Sequence, residues 1–241
     1  MGLGNANIHG RVFLSPNGSY SLGPNGLIGD MPPLWPAQSG LESPDWVFYD
    51  YNKDFPDVLP PYSGGAAVSY YNNTNTYLLG NGSYYINNDL TLKNNQVLYV
   101  AGVSTLYVTG NFSGNNGSQI TVAPGASLKL YVGTTAGPAV SCAFNVVNNT
   151  GTNNNAFNFQ LFGLPSMTSF TLSGNDTYMG TIYAPEAAFT LNGGGSGGLD
   201  YQGALVVSSV TMNGHFNVHY DKNLSRVGPP KGYTLAYWYE L

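Results

Sequence analysis

Hydrophobic and polar positions along this chain alternate in short runs. In ITVAPGASLKLYVG, Ile120 and Val122 alternate with Thr121 and Ala123, and Leu128, Leu130 and Val132 alternate with Lys129 and Tyr131. A period of two places the first set on one face of a strand and the second on the other. No stretch keeps a helical period, so the pattern predicts many short strands. Asn-Gly pairs begin at Asn17, Asn25, Asn81, Asn116, Asn192 and Asn213. They mark corners, because Gly and Asn enter left-handed backbone at least cost.

The runs repeat. Phe170-Thr171-Leu172-Ser173-Gly174 returns as Phe189-Thr190-Leu191-Asn192-Gly193 and again as Val210-Thr211-Met212-Asn213-Gly214. YMGTIYAP from Tyr178 is echoed by YQGALVVSS from Tyr201, and Leu-Tyr-Val occurs at 98–100, 106–108 and 130–132. Units of this length without crossover helices predict an all-β chain wound as a single-stranded β-solenoid, a parallel β-helix. The alternative is a β-sandwich, whose hairpins also use Asn-Gly turns but which does not require near-identical strands at fixed spacing.

On this reading the chain is one domain. Residues 1–30 form a first coil, 67–226 the main coils, and 227–241 (which include KGYTLAYWYEL) a final strand. Residues 31–66 break the pattern with Pro, Trp and Asp. Proline is excluded from central strands, so this stretch is expected to be an irregular excursion over the solenoid surface or a cap on one end.

Several motifs together resemble a family. Gly180 to Pro185 (G-T-I-Y-A-P), Thr190 to Gly193, Gly203-Ala204, and Gly214 to Asp221 with Leu224 resemble a poorly characterised β-helix domain of bacterial surface and pilus-associated proteins. The likeness is specific over about residues 165–225 and looser over 75–135. It implies a β-helix at a cell surface, and it brings no catalytic residues. A more distant likeness, through G-T-I-Y-A and G-A-L-V-V, is to bacterial ice-binding β-helices.

Composition narrows the function classes. Charged residues are 8% of the chain and the net charge is −5, against about 25% charged in a usual soluble domain. No Lys/Arg cluster exists, so nucleic acid and anionic membranes are not expected partners. No transmembrane or signal pattern is visible at MGLGNANIHG. The expected location is a bacterial cell surface or the extracellular space, with any leader or anchor outside this chain. Cys142, the single cysteine, lies in the apolar run AVSCAFNVV and reads as a buried structural thiol. The glycine run 193–198 is no phosphate loop, since no Lys-Ser/Thr follows it and no helical pattern begins there.

Two constellations carry candidate chemistry. Within GHFNVHYD, a strand places His215, Asn217, His219 and Asp221 outward or toward a covering loop, and Phe216, Val218 and Tyr220 inward. His215 and His219 then lie roughly 13 Å apart and cannot share a metal. His219 and Asp221 remain as an acid–base pair, or else close the last coil on turn amides. The excursion sets Asp50, Asp54 and Asp57 among Trp35, Trp46, Tyr49 and Tyr51; such acidic and aromatic groups suit sugar contact or glycoside hydrolysis, or simply pin a loop. Thr171, Thr190 and Thr211 are expected to stack as a short array.

The sequence therefore points to a non-enzymatic extracellular structural or adhesive module with no cofactor and no metal. Its expected partners are a second copy of itself or a cell-surface glycan. The alternatives are a polysaccharide-binding or polysaccharide-degrading protein and an ice-binding-like surface.

Overall fold

The structure is a computed structural model that describes residues 1–29, 39–50, 54–71, 76–144, 146–149, 155–174, 178–193, 199–214 and 216–226. The expected final strand at 227–241, Trp35, Tyr51, His215 and part of the excursion lie outside the described residues. The described residues are all-β: their strands join into one large sheet and a separate two-stranded sheet, Val12–Phe13 with Val47–Phe48, alongside three short 3₁₀ segments.

Pairing is parallel almost throughout, and through residues 76–174 each strand pairs with the third strand after it. Three ladders result. The first joins Thr76–Leu79, Val97–Val100, Gln119–Val122 and Val146–Asn149, then enters Tyr178–Gly193 at Tyr178 and Leu199–Asn213 at Tyr201. The second joins Gly82–Ile86, Val103–Val108, Ser127–Val132 and Phe159–Gly163, and continues through Thr181–Tyr183 and Ala204–Val206. The third joins Leu90–Leu92, Phe112–Gly114, Val140–Phe144 and Met167–Gly174, and continues through Ala188–Gly193 and Ser209–Asn213. The single antiparallel pair among the described strands is Ser69–Tyr71 with Thr76–Leu79.

The sequence repeats are the register of these ladders. Phe170, Phe189 and Val210 are partners, as are Thr171, Thr190 and Thr211, and Tyr107 with Tyr131. Like side chains thus stack at the spacing of about 4.8 Å between neighbouring strands. Inward positions form one continuous core from Leu3 to Phe216. Phe170 stacks on Phe189 at 5.1 Å and Tyr178 on Tyr201 at 5.0 Å. Cys142 is buried in this core, as expected. Tight turns set the corners: Gln96 donates to the Lys93 carbonyl, Ser118 to Asn115 and Ala126 to Ala123.

The N-terminal segment takes an unexpected place. Asn7–His9 pairs with Phe216–Tyr220 on one side and with Leu27–Gly29 on the other. Leu27–Gly29 in turn pairs with Gly40–Leu41. The first residues of the chain therefore extend the first ladder beyond its last C-terminal strand, rather than preceding residue 67. From Leu41 the chain must return past the whole ladder to Thr76. Ten strands deep, that is about 43 Å at ~4.8 Å per step, well within the reach of the intervening residues.

Residues 54–66 make part of that return, as a strap over the second ladder. Tyr85, Tyr107, Tyr131, Phe162 and Tyr183 are in-register partners and form an outward aromatic column. Val58 and Tyr62 pack on it. The Tyr183 hydroxyl donates to the Pro56 carbonyl at 2.8 Å. The Tyr62 hydroxyl reaches the carbonyls of Tyr84 and Thr105 at 2.7 and 2.9 Å. Prolines suit this role because a strap over a side-chain column needs few ladder amides.

Candidate functional site

Where the second ladder turns into the third, successive strands place the same kinds of residue above one another. Asn87 and Asp89 stand on one level, Thr109 and Asn111 on the next, and Thr134 on a third. The strap closes one side through Pro60, and Tyr85 and Tyr107 line another part of the wall. The result is a groove of about 630 Å³.

Side chains in the groove are fixed by one another. Tyr85 and Thr109 both donate to Asn87 Oδ1, at 3.0 and 3.3 Å. Asp89 Oδ1 accepts from the Asn111 amide nitrogen at 2.7 Å and from its Nδ2 at 3.1 Å. Asn111 Oδ1 accepts from the Ser141 backbone and hydroxyl at 2.9 and 3.1 Å. Each level is thus tied to the next, and the polar wall is organised before any ligand arrives. The Tyr85 and Tyr107 rings lie 5.4 Å apart, and burial pushes the Tyr107 phenol above its ordinary pKa.

Asp89 is the one formally charged residue among those lining the groove. Aromatic walls with amide and hydroxyl groups suit a neutral, hydroxyl-rich ligand. Glycoside hydrolysis needs two carboxylates across the scissile bond, and this lining has one.

The residues singled out in the sequence fall elsewhere. Asp50, Asp54 and Asp57 are exposed and none lines the groove. Trp46 is packed against the core, and Tyr49 stands 47% exposed. Asp221 takes the coil-closing role that was the alternative to an acid–base pair. It is only 3% exposed, because the strand ends at Tyr220 and the alternation ends with it. Its Oδ2 accepts from the Ala156 amide at 2.8 Å and its Oδ1 from the Asn223 amide at 2.9 Å. Tyr220, expected to point inward, is 52% exposed. His219 is exposed and stacks on His9 with ring centroids 5.0 Å apart and 6° between planes. Sequence reasoning missed Tyr85, Asn87, Asp89, Tyr107 and Asn111. The offset between Leu106–Val108 and Leu130–Val132 was the available signal for Tyr107.

A second surface lies on the third ladder. Its outward column runs Thr91, Ser113, Ala143, Thr171, Thr190 and Thr211. Thr91 and Ser113 hydroxyls are 3.0 Å apart, and Asn213 donates to Asn192 at 2.9 Å on an adjacent column. Among the described residues no group of three or more His, Cys, Asp or Glu is placed to hold a metal ion. No helix among them is long and apolar enough to cross a membrane.

A family model described as a domain of unknown function, DUF7305, matches residues 62–227. No curated protein and no solved structure matches the chain.

Proposed function

The chain belongs to the DUF7305 family, a domain of unknown function, across residues 62–227, and from that premise we propose that it is a parallel β-helix serving as a non-enzymatic extracellular adhesive module of a bacterial surface or pilus-like assembly. Supporting the β-helix over a sandwich is the parallel pairing of each strand with the third that follows. A sandwich is built from antiparallel strands.

The groove carries the functional part of the proposal: it holds a neutral cell-surface glycan. A sugar ring would rest on Tyr85 while its hydroxyls meet the amide and hydroxyl wall from Asn87 to Thr134. The single carboxylate favours binding over hydrolysis. Screening the purified chain on an array of neutral and acidic bacterial glycans tests this. Neutral glycans should bind, and Tyr85→Ala and Asp89→Ala should each weaken binding by about tenfold. Turnover of any polysaccharide would favour the degrading alternative instead, and an array with no neutral binder would defeat the glycan reading.

A second reading is favoured by the hydroxyl column. Its six in-register residues, five hydroxyl-bearing and one alanine, make a regular, uncharged array of the kind an ice-binding-like surface uses. Thermal hysteresis that disappears in Thr190→Tyr would support it.

A further inference from the structure

His9 and His219 belong to opposite ends of the chain, yet they are direct partners across the seam where the N-terminal strand docks on the C-terminal one. Their rings stack at 5.0 Å with 6° between planes. Both point away from the core, since Ile8 and Phe216 are the buried positions of these strands. Gln202 precedes them in the same column and Gly29 follows. Gly29 has no side chain, and the Glu42 carboxylate lies over it. The column thus offers two imidazoles, with an amide on one side and a carboxylate on the other.

We propose that His9 and His219 form a binding site for a divalent transition-metal ion, Cu²⁺, Ni²⁺ or Zn²⁺, which staples the N-terminal strand to the C-terminal one. Two nitrogens at ~2.0–2.1 Å from one ion sit roughly 3 Å apart. A tilt of two rings already facing each other reaches that separation. Imidazole suits these ions, whereas Mg²⁺ and Ca²⁺ prefer oxygen. Water completes the coordination, since among the described residues no group of three His, Cys, Asp or Glu is placed to hold an ion. An ion held by both strands binds only the docked state, so it raises the stability of the seam.

Titration of the untagged full chain with CuCl₂ or NiCl₂ tests the site. One ion should bind per chain, the melting temperature should rise by several degrees, and the Cu²⁺ electron paramagnetic resonance spectrum should show two coordinated nitrogens. His9→Gln and His219→Gln should each reduce affinity at least tenfold, while His215→Gln should bind as the parent does. The spectrum needs only the parent chain, so it decides the matter even if a variant folds poorly. Unchanged binding in both variants, loss of binding in His215→Gln, or a spectrum with fewer than two nitrogens would overturn the proposal.

Discussion

Asp221 closes the strand Phe216–Tyr220 by capping two backbone amides, those of Ala156 and Asn223. Its replacement by Ala leaves the buried Ala156 amide and the half-buried Asn223 amide without an acceptor, at a cost of about 1–3 kcal/mol. Urea denaturation should show this loss, with Asp221→Asn recovering part of it. Gly214 is a second sensitive position. Its φ is +138°, and a Cβ there would run into the Gly193 carbonyl oxygen. Cys142 shows the opposite character. Burial raises its thiol pKa well above the usual value, so thiolate is scarce. A disulfide reagent should leave it unmodified in the native chain and react once denaturant is added. Its burial was legible in AVSCAFNVV, because an apolar run states its own environment. The place of Asp221 was legible only as one of two readings, the one that closes the last coil on turn amides. Alternation predicts facing only while a strand continues, and nothing in HYDK marks Tyr220 as its last residue.

Strands and strap together explain why the aromatic column tolerates exposure at the outer face of a sheet. Tyr62 is held there by two carbonyls, and burial raises its phenol to about 12 from an ordinary value of 10.0. Burial also raises Tyr107, Tyr131 and Tyr183. The unfolded chain releases these protons first, so above its ordinary phenol pKa it binds fewer protons than the native state. Stability is therefore full below about pH 10 and falls as pH rises towards 12. Melting temperature against pH, with absorbance at 295 nm, should show both events together. Tyr62→Phe should cost about 1–2 kcal/mol for its hydrogen bonds and make the alkaline decline shallower. The stacking of Tyr107 on Tyr131 was readable, since both sit in Leu-Tyr-Val repeats. The landing of Val58 and Tyr62 was not, because prolines show that a segment leaves the ladder without saying which face it then crosses.

At the scale of the molecule, the docking of the first residues onto the last strand decides how the stack ends. The all-β class and the repeated rungs were legible because each repeat carries its own pattern. The closure was not, since it joins positions some two hundred residues apart, and its one sequence sign is a tripeptide, Asn7-Ile8-His9 against Asn217-Val218-His219, too short to stand out before the pairing is seen. The consequence is physical. Without residues 1–29, the strand Phe216–Tyr220 would present an unpaired edge, and the inward faces of Val210, Met212 and Phe216 would lose the cover of Leu3 and Ile8. Such an edge templates further pairing. A chain lacking residues 1–29 should therefore elute as oligomers and aggregate on warming, while the full chain elutes as a smaller species; size-exclusion chromatography with light scattering distinguishes them. Adding a synthetic peptide of residues 1–29 in trans should suppress the aggregation if the seam is the exposed surface. Aggregation unaffected by the peptide would place the sticky surface away from this seam and overturn the closure argument.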